Sequence, residues 1–315
     1  MKIVRSLNVF IRVLSEDKLE RRIIAATLVK LIQKRRYYIL FILPLRELIP
    51  KLNIPKLELW RTIIFSLSGT AELSLRHQIL LDGLKATQSY WDSRERIAQN
   101  LYTCSSRILN SEVVSKKLHN SNSRRLFFFH HYDNRGFVPQ AWLDALVSIR
   151  ESGWLVVFST SNIQSKFIIY LENNGIIISR RINIGLCLGA YKDLFLLLES
   201  SGSFLYNLDS LILCNDSTLP IKHESSLIDH IIKMVHNNEL SDKAILEGLT
   251  DSSERGLYHL QSYFLYINKV CLQSPAWQKF WLKFNPYQSK DRLIDFGEIK
   301  LSQYLLSRGI TLKVS

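Results

Sequence analysis

A short apolar run that ends in a carboxylate is the stretch of this chain with the clearest potential for chemistry. Residues 211–214 are apolar and predict a buried strand, and Asn215, Asp216 and Ser217 follow it directly. Polar side chains at the carboxyl end of a strand are typical of ligand sites in open α/β sheets. Asp216 could hold Mg²⁺ or Mn²⁺ against a phosphate, because both ions prefer oxygen ligands. The same three residues also fit a simple turn before a helix.

The elements that would position Asp216 alternate between strands and helices along residues 124–315. We predict strands at 126–129, 154–158, 176–178 and 211–214, with helices near 142–149, 164–172 and 190–199. Such alternation predicts an α/β fold with a mostly parallel sheet and helices on both faces. Several strands end in polar residues that would gather along one edge of the sheet. These are His130, Asp133, Ser159, Asn162, Asn183, Asn215 and Asp216.

A second polar pair lies in the aromatic stretch HLQSYFLY, which we interpret as one strand. His259 and Gln261 occupy alternate positions, so they would face the same side and could contact a sugar or phosphate. His259 could also ligate a metal ion. A buried histidine with satisfied hydrogen bonds is the equally weighted alternative.

The positive charge of the chain is concentrated in its first two-fifths. Of the 315 residues, 47% are hydrophobic, and the formal net charge is +13. Residues 1–125 hold 23 Lys and Arg against 10 Asp and Glu, whereas residues 126–315 hold 18 against 18. We therefore divide the chain into a basic, mainly helical region, residues 1–120, and an α/β domain, residues 121–315. The excess charge indicates an anionic partner, either a membrane surface or nucleic acid.

The apolar run 37–43 favours a membrane surface, since it is far shorter than the roughly 20 residues of a spanning helix and no nucleic-acid motif accompanies it. Packing of these apolar faces within the protein is the alternative. The four cysteines form no C-x-x-C pair, which argues against a zinc site or a disulfide framework. Reduced, buried cysteines and the lack of a recognisable signal peptide favour the cytosol.

From about Phe127 to its end, the chain resembles the rhamnan synthesis protein F family of cell-surface polysaccharide assembly. It is also similar, more broadly, to nucleotide-sugar-dependent glycosyltransferases of the GT-A type. About 190 residues contribute to the resemblance, and residues 1–120 are not covered. The matching blocks are HHYD at 130–133, RINIGLCLGAYK at 181–192, LCNDSTLP at 213–220, GLTDSSE at 248–254, HLQSYFLYINK at 259–269 and FGEIKLSQYLLSRG at 296–309.

The resemblance implies roles for individual residues. Asn215, Asp216 and Ser217 stand where GT-A enzymes bind the metal ion and the donor diphosphate, although one carboxylate replaces the usual two. Glu298 resembles the acidic residue that serves as general base in inverting members. Asp251 and Glu254 are rival bases. An acid that stabilises a helix dipole is the alternative for Glu298.

The block at 181–192 implies further donor contacts and one departure from the family. Asn183, Gly185 and Lys192 would bind the donor, and Arg181 or Lys192 would neutralise the leaving diphosphate. Cys187 occupies a position where the family usually has an aspartate. A thiol cannot replace an ionised carboxylate at neutral pH unless its pKa is strongly lowered.

Together with these residues, the resemblance implies an inverting, GT-A-like hexosyltransferase that uses Mg²⁺ or Mn²⁺. It would move a sugar, with rhamnose as the expected one, from a nucleotide diphosphate to a glycan or lipid-linked glycan acceptor. We expect it in the cytoplasm, peripheral to the inner face of the plasma membrane. Cys187 motivates an alternative, a non-catalytic sugar-binding or scaffold member of a polysaccharide assembly complex. A nucleic-acid-binding protein is a weaker third hypothesis.

Overall fold

The computed structural model of the chain describes residues 84, 88, 107–200, 203–220, 227–253 and 256–315. Most of the predicted basic region, and with it the apolar run 37–43, lies outside these residues. The chain divides into two compact units, residues 1–98 with 253–257 and residues 99–252 with 258–315. The second unit carries the sheet and the helices that follow.

A mixed, mostly parallel sheet of seven strands organises the described part of the second unit. Its strand order is β3-β2-β1-β4-β8-β5-β9, and β8 alone runs antiparallel to both of its neighbours. A hairpin of β6 and β7 is separate from it. The strands are β1 (Arg125–His131), β2 (Leu155–Thr160), β3 (Ile177–Arg180), β4 (Ser210–Asn215), β5 (Ile245–Gly248), β6 (Asp251–Ser252), β7 (His259–Leu260), β8 (Phe264–Asn268) and β9 (Thr311–Val314).

The helices connect these strands, and two of those described begin at a residue whose side chain caps the helix. Ser274, for example, accepts a hydrogen bond from the Trp277 N–H, and Pro275 occupies the first helical position after it. The helices are α1 (Ser111–His119), α2 (Gln140–Glu151), α3 (Ser165–Asn173), α4 (Leu186–Ser200), α5 (Ser203–Asn207), α6 (Leu227–Asn238), α7 (Lys269–Leu272), α8 (Pro275–Lys283), α9 (Lys290–Leu293), a π-helix (Ile294–Ile299) and α10 (Lys300–Leu306).

Alternate residues of the central strand β1 pack on opposite faces of the sheet, as the period of a strand requires. Phe129 contacts Trp142 of α2, with ring centroids 4.3 Å apart, in a core that also includes residues of α3 and α6. Phe128 points the other way and meets Tyr191 of α4 at 6.0 Å. Helices therefore cover both faces, with α4 on the face opposite α2. Helix α1 packs against β3 and α4.

The α/β class and the four predicted strands are confirmed, with strand bounds shifted by one or two residues. The prediction of one continuous strand through HLQSYFLY is wrong, because a turn at residues 261–263 separates β7 from β8. In this turn the backbone N–H of Ser262 points towards Glu298 and donates a hydrogen bond to it. None of the helices in the described ranges combines the length and apolarity that a membrane span requires.

Candidate functional site

Asp216 lies where the strand order of the sheet reverses. The chain winds from β1 through β2 to β3 on one side and then crosses β1 to form β4 on the other. At the carboxyl ends of β1 and β4, the Tyr132 N–H donates to Asp216 Oδ2 at 2.7 Å, and the Asp216 N–H donates to the His130 carbonyl at 3.3 Å. A crevice at such a switch point is the usual ligand position in open α/β sheets.

The residues beside Asp216 hold its backbone in a fixed turn. Asn215 Oδ1 accepts a hydrogen bond from the Ser217 N–H at 2.8 Å, which is the turn chemistry that the sequence allows. The Trp142 indole N–H donates to the Thr218 carbonyl at 2.9 Å and ties the following loop to α2. Turn and site are therefore compatible interpretations of the same residues, because Asn215 forms the turn and Asp216 faces β1.

The electrostatic surroundings of Asp216 favour its partial neutralisation. Burial raises the pKa of the Asp216 carboxyl above its usual value, and the nearby Asp133 carboxylate raises it further. The hydrogen bond from the Tyr132 N–H opposes both effects. Two carboxylates thus lie near each other at the ends of adjacent strands, an arrangement in which a cation would be stabilised.

The loop after β1 is built by the polar residues that follow that strand. Asp133 Oδ1 accepts the N–H groups of Arg135 and Phe137, at 2.8 and 3.0 Å. Asn162, at the end of β2, donates to the carbonyls of Asp133 and Asn134. These polar residues do lie together at the carboxyl edge of the sheet. Asn162 and the Asp133 carboxylate, however, make hydrogen bonds that stabilise the loop after β1.

His130 is buried beneath α4 and faces a cationic neighbour. Burial lowers the pKa of His130 well below its usual value, and the nearby Arg181 lowers it further. Its Nδ1 lies 3.3 Å from Ser159 Oγ on β2. The imidazole is therefore neutral at physiological pH and belongs to the interior of the sheet edge.

Glu298 reaches the same edge from the π-helix. Its Oε1 accepts two hydrogen bonds from Ser262, one from the backbone N–H at 3.0 Å and one from Oγ at 2.5 Å. The neighbouring Gly297 permits this approach, since a Cβ there would lie 2.2 Å from Leu188 Cδ1 on α4. π-Helical turns inside helices are frequent at functional sites. Ser262 is not among the residues predicted from the sequence, although it stands in the polar part of HLQSYFLY.

Cys187 adds a neutral group beside Ser262 and Glu298. Its Sγ lies 3.8 Å from Ser262 Oγ, and burial raises the pKa of the Cys187 thiol to about 11. Hydrogen bonding to Ser262 opposes that shift, and the negative charge of Glu298 adds to it. The preceding Leu186 has a φ of 48°, which is uncommon for a residue with a side chain and typical of strained positions near functional sites.

The pairing of β4 with β8 brings the chain around Asp216 close to the turn that holds Glu298. The Asn215 N–H extends this antiparallel ladder by donating to the Tyr263 carbonyl at 3.0 Å. One residue further along each chain come Asp216 and Ser262, and Ser262 holds Glu298. Opposed residues of antiparallel strands lie about 5 Å apart. The residues that carry Asp216 and that hold Glu298 are therefore neighbours at this end of the β4–β8 pair.

Two of the predicted donor-binding residues, Lys192 and Gly185, make close contacts within the protein. The Lys192 ammonium donates to the carbonyls of Leu282 and Phe284 at the end of α8. Gly185, with a φ of 74°, allows the chain to pass so close to Pro286 that a Cβ would lie 2.3 Å from the proline Cβ. Asn183 lies in the same loop and is half-buried.

Arg181, the other predicted partner of a diphosphate, belongs to a buried ion network. Its Nη2 donates to Asp193 Oδ2 at 2.9 Å and to the Ile184 carbonyl at 2.7 Å. Arg107 Nε contacts the second oxygen of Asp193 at 2.7 Å. Burial lowers the pKa of Arg181, and Asp193 opposes this shift. The network holds the loop that leads into α4.

The remaining predicted residues occupy the β6–β7 hairpin and the turn after it. Asp251 is exposed and hydrogen-bonds Tyr258, whereas its rival Glu254 lies outside the described residues. His259 is buried in β7. Gln261 Oε1 accepts a hydrogen bond from Thr250 Oγ1 at 2.6 Å, on the β5 side of the site. Glu298, unlike the exposed Asp251, is half-buried and held by Ser262.

A divalent cation would rely on Asp216 together with the substrate. Within the described ranges, no group of three or more His, Cys, Asp or Glu side chains could hold a metal ion. Mg²⁺, however, often binds one or two carboxylates and completes its coordination with substrate phosphates and water. Asp216, with the charge of Asp133 nearby, fits that mode of binding. It does not fit a preformed protein cage.

Comparison with known proteins places the site within a recognised sequence family. A family model described as rhamnan synthesis protein F matches residues 155–315. The matched stretch extends from β2 to β9 and includes Asp216, Ser262 and Glu298. No curated protein matches the chain.

Proposed function

The chain belongs to the rhamnan synthesis protein F family, which indicates a role in rhamnan or polysaccharide synthesis, and we propose that it is a glycosyltransferase. It moves a sugar, rhamnose being the one that the family description suggests, from a nucleotide diphosphate donor. The acceptor is a cell-surface polysaccharide or its lipid-linked precursor. The α/β sheet with a carboxylate at its switch point supports the GT-A-like type of enzyme.

One observation carries this proposal: two carboxylates with different surroundings face the same end of the β4–β8 pair. Asp216 is held by β1, and Glu298 is held by Ser262. Group transfer from a diphosphate needs one site that accommodates the charged leaving group and one base for the incoming hydroxyl. Asp216 and Glu298 supply these two functions at adjacent positions.

The reaction is a single displacement at C1 of the donor sugar. The Glu298 carboxylate accepts the proton of the acceptor hydroxyl while its oxygen forms the new bond to C1. The bond between C1 and the diphosphate oxygen breaks, and the nucleoside diphosphate leaves with the electron pair. Attack opposite to the leaving group inverts the configuration at C1. Half-burial of Glu298 restricts water, which would otherwise compete with the acceptor.

Asp216 would hold a divalent cation, Mg²⁺ or Mn²⁺, together with the donor diphosphate. When bound, such an ion supplies charge neutralisation for the leaving group. The polypeptide contributes the carboxylate, whose orientation is fixed by the Tyr132 N–H. Arg181 and Lys192 are engaged in other contacts in this structure, so the ion has the larger role in neutralising the diphosphate.

We extend the proposal to the surroundings of the enzyme. The excess of basic residues within 1–125 would attract an anionic membrane surface, where a lipid-linked acceptor resides. On this view the protein acts at the cytoplasmic face of the membrane. Association with anionic vesicles at matched salt, compared with duplex DNA, separates this hypothesis from nucleic-acid binding.

The experiment that tests the proposal is donor hydrolysis. The purified full-length chain is incubated with a panel of nucleotide sugars, with and without Mg²⁺ or Mn²⁺, and the release of nucleoside diphosphate is measured. We expect metal-dependent release from one donor. Asp216→Ala should abolish it, and Glu298→Ala should lower acceptor-dependent transfer by about 10²- to 10⁴-fold, the usual contribution of a general base.

Asp209→Ala is the matched control for Asp216→Ala. Asp209 directly precedes β4, whereas Asp216 follows it, so the two carboxylates lie at opposite ends of this strand. Asp209 pairs with Arg124, and its loss should leave hydrolysis unchanged. Equal rates for Asp216→Ala and the wild type would refute the assigned role of Asp216. If no donor is hydrolysed or bound, the non-catalytic alternative is favoured, and the neutral Cys187 thiol offers a reason for it.

A further inference from the structure

Ser262 contacts three residues of the candidate site, Glu298, Tyr191 and Cys187. It is 4% exposed and lies in the turn that interrupts the predicted strand. Its backbone N–H and its hydroxyl both donate to the same oxygen of Glu298, at 3.0 and 2.5 Å. Two donors on one carboxylate oxygen fix the direction in which the second oxygen points, because they define the plane and the rotation of the group.

The backbone of Ser262 is in turn anchored to the Asp216 side of the site. Its carbonyl accepts a hydrogen bond from the Tyr191 hydroxyl at 3.0 Å, and Asn215 Nδ2 lies 3.5 Å from that hydroxyl. Burial raises the pKa of Tyr191 well above its usual value, so the phenol remains a donor at working pH. A chain of contacts thus connects the turn after β4 to the base.

The third neighbour of Ser262 completes the orientation of its hydroxyl. Cys187 Sγ lies 3.8 Å from Ser262 Oγ, where either atom can donate. Because the Ser262 hydroxyl proton is directed at Glu298, its oxygen is left to accept from the neutral Cys187 thiol. The relay runs from the thiol through the hydroxyl to the carboxylate. It requires a protonated group at Cys187 and a hydroxyl at Ser262.

We propose that Ser262 is the positioning residue of the general base, which orients the Glu298 carboxylate towards the acceptor hydroxyl beside Asp216. This inference rests on the proposed function. Ser262 does not contact the reacting atoms and acts through Glu298. Small displacements of a reacting group can cost about 10²-fold in rate, so orientation by a hydrogen-bond pair is sufficient to affect turnover.

The test is a kinetic double-mutant cycle between Ser262 and Glu298 in the full chain. Ser262→Ala removes the hydroxyl and leaves the backbone N–H bond, so we expect kcat to fall about tenfold or more with KM for the donor within about twofold. In the Glu298→Gln background the same change should alter kcat by less than about twofold, because the base that Ser262 orients is already lost. Ser262→Thr, which retains a hydroxyl, should keep most of the wild-type kcat.

Ser302→Ala provides the matched control. Ser302 is also a buried serine of this part of the structure, but its Oγ accepts a hydrogen bond from the Leu260 N–H at 3.0 Å rather than donating to Glu298. Its loss should not change kcat. An equal loss of kcat from Ser262→Ala in the wild-type and Glu298→Gln backgrounds would overturn the positioning role of Ser262 and leave the proposed function standing. Wild-type turnover by Glu298→Gln would overturn the assigned base and the inference together.

Discussion

Removal of the Asp193 carboxylate should destabilise the protein strongly. The side chains of Asp193 and Arg181 are each 1% exposed, and that of Arg107 is 6% exposed. Asp193→Ala would leave two buried guanidinium groups without their shared counter-ion. Breaking a buried ion pair by removing one partner costs about 3–5 kcal/mol, because the remaining charge is uncompensated. We expect a loss at the upper end of that range, since two charges are affected.

The measurement is urea unfolding followed by tryptophan fluorescence, for which Trp142, Trp154, Trp277 and Trp281 supply buried probes. With a slope of about 1–3 kcal/mol per molar urea, the expected loss shifts the midpoint by about 1 M or more. The change should also reduce turnover. Arg181 would lose the contact that orients it towards the Ile184 carbonyl. Ile184 lies in the loop that leads into the first turn of α4.

Two further variants decide whether buried charge is the cause. Asp209→Ala removes a half-buried carboxylate whose partners Arg124 and Lys269 have side chains 62% and 40% exposed, so it should cost about 0–1 kcal/mol. Arg107→Met combined with Asp193→Ala should recover part of the loss, since one of the two buried charges that Asp193 neutralises is gone. The reasoning is refuted if Asp193→Ala costs no more than Asp209→Ala, or if the double variant is less stable than Asp193→Ala.

Two other predictions follow from residues around the site. The thiol of Cys187, with a pKa of about 11 against an ordinary 9.0, should react with iodoacetamide at pH 8 about 100-fold more slowly than an ordinary cysteine. The rate of this reaction should rise about tenfold per pH unit up to about pH 11, because only the thiolate reacts. Peptide-resolved mass spectrometry measures the rate at Cys187, and a plateau near pH 9 would contradict the raised pKa. Gly185→Ala should destabilise the protein by more than the roughly 1–3 kcal/mol of ordinary overpacking, because the new Cβ meets Pro286 and the φ is 74°. Gly309→Ala, with a φ of 78° and no atom within 4 Å of the new Cβ, isolates the backbone strain in the same urea assay, and equal losses would refute the packing argument.

The sequence by itself determined the class of fold and the position of Asp216. Strands and helices are predicted from the spacing of apolar residues along the chain. That spacing is a local pattern, so it can be recognised without knowledge of the tertiary structure. The four strands before Asp216 are confirmed for this reason. The resemblance of the matched blocks to the rhamnan synthesis protein F family likewise needed no structure, and the family match agrees with it.

Only the tertiary structure decided which polar groups meet. Ser262 and Glu298 are 36 residues apart, and Arg107 and Asp193 are 86 apart, so no local pattern pairs them. Lys192 shows the converse, since its charge predicted a diphosphate contact and the fold directs its ammonium to the carbonyls at the end of α8. The physical reason is that long-range hydrogen bonds depend on strand register and helix placement. The residue type shows that a buried polar side chain needs a partner, but the fold decides which group that partner is.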